Sequence, residues 1–237
     1  MNKELKRTRL IELLRNITPE MREKLNSLKE GSNDLERIDF IWHFLFQSFA
    51  TMGNAGGWKG LIGNQSNYTR VLFAPLSKLN SEKRVELIEK VLRDAKVRYA
   101  EKKSQWLNRN CDLIKTWGGL EKTRDKALAC IGTEAKINFM KQFYGIGDKY
   151  ARNIWMDVYH PDFHNSIAID IRIKKITEQL GYKFTAYSLY ERFYLEIAQE
   201  ANLQGWELDR LLFNYKDKFI ADLNVVEKYS TCSKRNI

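Results

Sequence analysis

The chain has 237 residues, and its 40 lysines and arginines outnumber its 30 aspartates and glutamates, which gives a formal net charge of +10 at pH 7. A chain of this length can bury a sizeable core, either as one large domain or as two closely packed lobes. The basic excess favours a polyanionic partner, although a solvated basic surface explains the same charge.

Cysteine usage and hydropathy exclude several classes of protein. The three cysteines, Cys111, Cys130 and Cys232, are far apart and odd in number, which argues against a disulfide framework and for a reducing compartment. The charged N-terminal sequence lacks the apolar core of a signal peptide, and no apolar run approaches the roughly 20 residues that span a membrane. We therefore expect a soluble, cytoplasmic protein with no membrane partner.

Most segments have apolar residues at helical spacing rather than in strict alternation, which indicates an all-α fold. The run Thr-Pro-Glu at 18–20 predicts the start of a short helix, and Asn80 predicts the start of a long one. Residues 39–52 are strongly apolar and predict a buried helix, in which His43 is a core residue rather than a ligand. A shorter helical piece is predicted to end near Pro75.

The most specific pattern of the sequence begins with Gly145, Ile146 and Gly147. Glycines allow backbone angles and close approaches that other residues disfavour. Asp148 then predicts the start of a helix, and a helix N-terminus behind a glycine turn presents free backbone N–H groups that suit a phosphate. By itself such a turn is weak evidence, because most turns of this kind do no more than reverse the chain.

The run FYGIGDKYA, followed by SIAIDIRI, resembles the helix-hairpin-helix GPD superfamily of DNA glycosylases, whose pattern is Leu-Pro-Gly-(Val/Ile)-Gly-x-Lys-x-Ala and then Val-Asp-Thr-His-Val. Lys149 stands at the lysine of the bifunctional branch, and Asp170 stands at the essential aspartate. Ala151 matches the small residue of the helix. Phe143-Tyr144 in place of Leu-Pro, and Ile171-Arg172 in place of Thr-His, depart from the pattern without changing the lysine or the aspartate.

The resemblance is firm over residues 136–181 and looser over residues 39–119. It implies an all-α fold of two lobes with the active cleft between them. One lobe, residues 36–157, would end in the helix-hairpin-helix. The other lobe, residues 1–35 and 158–237, would carry the catalytic aspartate.

The resemblance also implies an enzyme, a DNA N-glycosylase with AP-lyase activity that acts on a base flipped out of duplex DNA. Breaking the C1′–N bond places positive charge on the sugar, which the carboxylate of Asp170 would stabilise. Lys149 would attack C1′ as a neutral amine and form a Schiff base, with Arg152 and Lys174 as candidate neighbouring cations, and β-elimination would then cut the strand. Taken alone, a helix cap explains Asp170 equally well, and an exposed helix lysine is the simpler interpretation of Lys149.

The same resemblance implies a phosphate site at the hairpin. Backbone N–H groups at Gly145 and Gly147, with Ile146 between them and Asp148 opening the next helix, would hold a phosphate of the damaged strand. A monovalent cation at the hairpin would help to bridge that contact, and no other cofactor is required.

Further positions concern the gap in the duplex and metal binding. Gln47, Phe49 and Asn54 lie near family positions that fill the gap left by an extruded base. No metal site is expected, because His160 and His164 lack a matching third ligand nearby. The chain also lacks the four-cysteine tail that holds an iron–sulfur cluster in some relatives.

The choice of damaged base rests on weaker features. The missing cluster tail and the stretch Phe-Ala-Thr-Met-Gly-Asn favour 8-oxoguanine over the pyrimidines of endonuclease-III-type enzymes. Four aromatic residues are candidates to stack on that base, namely Trp58, Trp155, Trp206 and Phe213. Two alternatives stay open: a monofunctional glycosylase for alkylated or mismatched bases, and a non-catalytic helix-hairpin-helix protein that binds DNA. In each case we expect a monomer on duplex DNA.

Overall fold

The computed structural model describes residues 3–30, 33–53 and 56–232, and over these ranges it contains helices and no strand. This confirms the predicted all-α fold class. The chain forms two compact units, one of residues 32–154 and one of residues 1–31 with 155–237. The predicted division into lobes lies a few residues from these boundaries, and the role assigned to each lobe stays a prediction.

The α-helices follow one another with short connections, three of which form 3₁₀ turns at Asn33–Glu36, Thr69–Val71 and Pro161–Phe163. In chain order the α-helices of the described residues are α1 (Lys3–Arg15), α2 (Pro19–Lys29), α3 (Phe40–Thr51), α4 (Gly56–Leu61), α5 (Gln65–Tyr68), α6 (Phe73–Ser77), α7 (Ser81–Asp94), α8 (Ala100–Thr116), α9 (Leu120–Leu128), α10 (Gly132–Met140), α11 (Asp148–Asp157), α12 (Ile171–Leu180), α13 (Tyr187–Glu200) and α14 (Gly205–Cys232). None of them is long and apolar enough to cross a membrane, as judged over the described ranges.

Helix starts agree with the predicted caps. Thr18 Oγ1 accepts a hydrogen bond from the backbone N–H of Met21, and Pro19 is the first residue of α2. Asn80 Oδ1 accepts from the N–H of Lys83 and begins α7. Each cap satisfies an N–H group that the helix leaves without an internal partner.

The helical piece predicted to end near Pro75 is wrong in its boundaries. Helix α5 ends at Tyr68, and α6 begins at Phe73, so that Pro75 lies in the first turn of α6. A proline is tolerated there because the first turn of a helix has no internal acceptor for its missing N–H.

Helix α3 forms the centre of the unit of residues 32–154, as its apolar sequence predicts. Its aromatic side chains Trp42, Phe46 and Phe49 are fully buried, and each such side chain contributes about 1.5–3 kcal/mol relative to an exposed one. His43 Nδ1 lies 2.7 Å from the hydroxyl oxygen of Tyr68, and burial lowers the pKa of its imidazole. This histidine is therefore a core residue, as predicted.

The second unit joins the first two helices to the last three. Arg7 in α1 pairs with Glu200 at 2.5 Å, and Lys29 in α2 pairs with Glu207 at 2.5 Å. The indole N–H of the buried Trp206 donates to the carbonyl of Met156 at 2.7 Å. These contacts fix α13 and α14 within the unit. Helix α14 bends at Tyr215, whose φ and ψ of −122° and 23° leave the helical region.

Candidate active site

The hairpin that precedes α11 requires a glycine at its first position. Gly145 has φ +84°, a left-handed angle that other residues disfavour. A Cβ atom there would lie 2.6 Å from Trp106 Cε3 and 2.8 Å from Phe49 Cε1. The hairpin thus rests directly on two aromatic rings, and residue 145 has room for a hydrogen atom alone.

The second glycine is under no such constraint. A Cβ atom at Gly147 would meet nothing within 4 Å, and the carbonyl of Gly147 accepts the N–H of Ala151 at 2.9 Å as α11 begins. The predicted DNA-contacting residue Ile146 buries its side chain, and its N–H donates to the carbonyl of Phe143. The backbone of Gly147 therefore faces open space, where a ligand can approach closely.

A buried asparagine that the sequence did not reveal holds the other side of the hairpin. Asn110 in α8 accepts the backbone N–H of Tyr144 at 2.8 Å and donates to the carbonyl of the same residue at 3.1 Å. Arg109 lies over the half-exposed ring of Tyr144, 5.1 Å from its centroid. The two bonds fix the peptide groups on both sides of Tyr144, next to Gly145.

Helix α11 brings the predicted nucleophile to its first turn. Lys149 is the second residue of α11, is half-buried, and has its Nζ atom 4.3 Å from the ring centroid of Tyr150. Asp148 begins the helix and lies 2.8 Å from Lys141 Nζ and 3.9 Å from Arg152 Nη1. Of the two predicted neighbouring cations, Arg152 therefore pairs with Asp148 one turn before it.

Asp170 is the N-cap of α12, as the helix-cap interpretation of that residue predicts. Its Oδ1 atom accepts the N–H groups of Arg172 at 2.8 Å and Ile173 at 3.1 Å, and its Oδ2 atom lies 3.5 Å from Arg172 Nη1. The side chain is 13 % exposed. Capping consumes one carboxylate oxygen and orients the other, so capping and catalysis are compatible. Lys174, the second predicted cation, lies over Tyr190 at 5.6 Å.

The chain that leads into Asp170 is buried and has no regular secondary structure, and side chains from two helices bond three of its backbone groups. The N–H of Ala168 donates to Asp209 Oδ1 at 2.9 Å. The N–H of Ile169 donates to the Tyr187 hydroxyl at 3.0 Å, and that hydroxyl donates to the carbonyl of Ile167 at 3.0 Å. No local sequence pattern singles out Asp209 or Tyr187, because they bond residues that lie 41 and 18 positions earlier in the chain.

Asp209 is a buried carboxylate with a strongly shifted titration. Burial is the main cause that raises its pKa to about 6, and the charges of Asp170 and Asp157 act in the same direction. Arg210 opposes them, with its guanidinium 3.3 Å from Asp209 Oδ2 and 2.9 Å from Asp157 Oδ1. The group is therefore held as part of a small polar network.

The residues predicted to fill the gap in the duplex are placed differently from one another. Gln47 is half-buried in α3. Phe49 is fully buried against Gly145, so its side chain supports the hairpin and presents no surface to a ligand. Asn54 lies outside the described residues.

A buried lysine, which no sequence pattern singles out, fixes the end of α3. Lys103 donates from Nζ to the carbonyls of Phe49 and Met52, both at 2.8 Å. These carbonyls belong to the last turn and C-cap of the helix, where a cation is favoured. Burial lowers the pKa of the Lys103 ammonium to about 8.

The four aromatic candidates for base stacking divide by exposure. Trp155 and Trp206 are buried in the core, whereas Trp58 and Phe213 are exposed by 41 % and 49 %. Phe213 lies with its ring centroid 4.1 Å from the guanidinium of Arg172, the residue that bonds the Asp170 carboxylate.

No three His, Cys, Asp or Glu side chains are grouped as a metal site in the described part of the chain.

Two solved structures share this arrangement of helices. The 8-oxoguanine DNA glycosylase of Methanocaldococcus jannaschii has a TM-score of 0.62 and 18 % sequence identity, over 90 % of this chain and 93 % of that one. The 8-oxoguanine DNA glycosylase of Thermotoga maritima has a TM-score of 0.59 and 16 % identity, over 88 % and 96 %. The fold is that of the helix-hairpin-helix GPD glycosylases. No protein-family model and no curated protein matches the sequence.

Proposed function

We propose that this protein is a base-excision-repair DNA N-glycosylase with AP-lyase activity, and that it excises 8-oxoguanine. One observation carries the proposal: the glycine hairpin runs directly into the helix that bears Lys149, and Asp170 caps the helix α12. The similarity of the fold to two 8-oxoguanine DNA glycosylases supports the same conclusion.

The hairpin and the adjoining face of α8 are proposed to bind the DNA backbone. Gly147 leaves its peptide open to a phosphate at the start of α11, and positive helix ends favour anions. Lys102 and Arg109 are exposed on α8, where they pair with the rings of Trp106 and Tyr144. Contacts of this kind are independent of base sequence, and we expect binding that weakens steeply with salt.

A monovalent cation at the hairpin is part of the proposal. Such an ion would be held by backbone carbonyls. Those of Phe143, Tyr144 and Gly147 each accept a hydrogen bond, and each retains a second lone pair. We expect such carbonyls to hold the cation weakly, and the ion would supply positive charge next to the phosphate.

The chemistry is assigned to two side chains. The Lys149 amine forms a bond to C1′ while the C1′–N bond to the base breaks, and the base leaves with that electron pair and takes up a proton. Asp170 presents Oδ2 to the positive charge that develops on the sugar. The nitrogen lone pair then expels O4′, which takes up a proton, and breaking of the C1′–O4′ bond leaves a protonated Schiff base that acidifies C2′. Loss of a C2′ proton and departure of the 3′ phosphate with the C3′–O electron pair complete the β-elimination that cuts the strand.

Phe213 is proposed as the ring on which the flipped base stacks. It is the aromatic candidate that combines exposure with a position beside Arg172 and hence beside the cap of α12. Every base has a π face, and such stacking contributes about 1–3 kcal/mol.

The deciding experiment is borohydride trapping on two duplexes, one with 8-oxoguanine and one with an abasic site. Wild type is expected to give a covalent adduct with both, and Lys149→Gln is expected to give none. Asp170→Asn should slow excision by about 100-fold or more, as loss of a transition-state charge partner does. Lys90→Gln, which changes an exposed lysine of α7, is the matched control and should trap like wild type.

Each other outcome selects a different function. Excision without an adduct in wild type would identify a monofunctional glycosylase. Salt-dependent binding without excision, and indifferent to Asp170→Asn, would identify a DNA-binding module. An adduct with the abasic duplex alone would keep the lyase and reject 8-oxoguanine as the base.

A further inference from the structure

The five residues before α12 form a largely buried segment without regular secondary structure. We call residues 166–170 the approach segment. A buried backbone that lacks helix or sheet hydrogen bonds must satisfy its N–H and C=O groups by other means. Here side chains do so, Asp209 from α14 and Tyr187 from α13.

The bonds hold the two residues immediately before Asp170. Asp209 accepts the N–H of Ala168, and Tyr187 accepts the N–H of Ile169. Tyr187 also donates to the carbonyl of Ile167, so its single hydroxyl bonds two consecutive peptide groups. Every bond is between 2.9 and 3.0 Å. The backbone that presents Asp170 is thus fixed at consecutive positions.

We propose that Asp209 and Tyr187 are positioning residues for Asp170, and that they act on base excision by fixing the backbone of the approach segment. The inference rests on the proposed function, because it takes Asp170 as the residue that stabilises the sugar charge. Neither side chain is assigned contact with DNA.

The physical reason is the cost of misplacing a charged catalytic group. Removal of either acceptor leaves a buried N–H without its bond, and the segment relaxes to recover one. Displacement of a catalytic group by about 1 Å can cost on the order of 100-fold in rate. Binding of DNA depends on other groups, so the rate should fall while affinity does not.

The bond to Ala168 requires an acceptor oxygen at position 209 and does not require a negative charge. The Oδ2 atom of Asp209 faces Arg210, which also pairs with Asp157, and the carboxylate of Asp170 repels it. An asparagine at 209 retains one oxygen that can accept from Ala168, and its NH2 group replaces Oδ2 opposite Arg210, which keeps Asp157 as its partner. The conservative variant should therefore restore what alanine removes.

The test measures the single-turnover excision rate and the DNA dissociation constant for each variant. Asp209→Ala is expected to lower the rate by about tenfold or more, and Tyr187→Phe by about threefold to tenfold, with the dissociation constant within about twofold of wild type. Asp209→Asn should keep the rate within about threefold. The double variant should lose less than the product of the single losses, since both residues act through one segment.

Tyr190→Phe is the matched control, because it removes a hydroxyl from the same helix and leaves both Tyr187 bonds in place. Excision at the wild-type rate by Asp209→Ala and Tyr187→Phe would overturn the inference, as would an equal loss in Asp209→Asn and Asp209→Ala. If Asp209→Ala fails to fold, Tyr187→Phe decides. A wild type that excises nothing overturns the proposed function and this inference together, whereas active variants overturn this inference alone.

Discussion

The two residues proposed to carry the chemistry stand on supports of different kinds. The hairpin before Lys149 is seated on aromatic rings, with Gly145 in van der Waals contact with Trp106 and Phe49. The approach segment before Asp170 is held by hydrogen bonds from Asp209 and Tyr187. Each support lies within its own unit of the chain.

The difference determines which changes each support tolerates. A support made by packing is sensitive to added or lost volume and is indifferent to pH. A support made by hydrogen bonds is sensitive to the loss of an acceptor and to titration of the group that supplies it. The hairpin should therefore respond to changes in size, and the approach segment should respond to changes in polarity and pH.

The largest expected effect is at Gly145. Gly145→Ala would impose a left-handed φ on alanine and would place Cβ 2.6 Å from Trp106. We expect the free energy of unfolding to fall by about 2–4 kcal/mol, from backbone strain and overpacking together. Urea unfolding at pH 7 measures it.

Gly147→Ala is the matched control two residues away. Its Cβ meets nothing within 4 Å, so we expect stability to change by less than about 0.5 kcal/mol. The same methyl group lies where the proposed phosphate approaches, and DNA affinity should fall. Equal losses of stability in the two variants would show that contact with the rings of Trp106 and Phe49 is not the reason that position 145 requires glycine.

The second effect concerns Asp209, whose folded pKa is raised from 3.8 to about 6. A raised carboxyl pKa contributes stability that is fully present below pH 3.8 and is lost as the pH rises through 6. Relative to Asp209→Asn, wild type should therefore lose on the order of 2–3 kcal/mol of unfolding free energy over this range. Urea unfolding between pH 4 and 7 tests it.

Asp217→Asn, which changes a fully exposed carboxylate of α14, provides the comparison. Its stability difference from wild type should stay flat over the same pH range. If the free energy of unfolding varies with pH in the same way for wild type and Asp209→Asn, Asp209 has the same pKa in the folded and unfolded chain. Burial would then not raise the pKa of this carboxyl group.

The features that the sequence predicted are local ones. The cap at Thr18, the cap at Asp170 and the glycine at 145 each follow from a residue and its near neighbours, and the structure has all three. Helical spacing likewise predicted the buried helix α3. Local rules suffice where the backbone conformation is decided within one turn of chain.

The supports of the site were not predictable for the same reason. Asn110 bonds a residue 34 positions later, and Asp209 bonds one 41 positions earlier. Such pairs come together through helix packing, which no periodicity in one segment reports. Phe49 was predicted near the DNA because position in the chain places it at the end of α3, but only packing shows that it faces the hairpin.

The third effect concerns Lys103, which supports the end of α3 in the same unit as the hairpin and whose charge depends on pH. Lys103 is fully buried, and its pKa is lowered from 10.5 to about 8. The unfolded chain binds more protons between these values, so stability should rise with pH there. Relative to Lys103→Met, wild type should gain about 1–2 kcal/mol from pH 8 to 9.5, as measured by urea unfolding.

Lys102→Met separates this effect from a general response of lysines. Lys102 is the exposed neighbour of Lys103 on α8, and its stability difference from wild type should not vary with pH. If the stability difference between wild type and Lys103→Met does not change with pH, burial does not lower the pKa of the Lys103 ammonium. The support of the hairpin would then depend on packing alone, in contrast to the hydrogen-bonded approach segment.

The smallest effect on stability is expected at Phe213. This residue tests whether an exposed ring contacts the flipped base or only packs under Arg172. The ring is 49 % exposed and packs under Arg172, so Phe213→Ala should cost about 1 kcal/mol or less of unfolding free energy. If the flipped base stacks on this ring, the same variant should lose about tenfold in single-turnover excision, while Phe213→Tyr keeps it. Excision at the wild-type rate by Phe213→Ala would reject stacking of the flipped base on this ring.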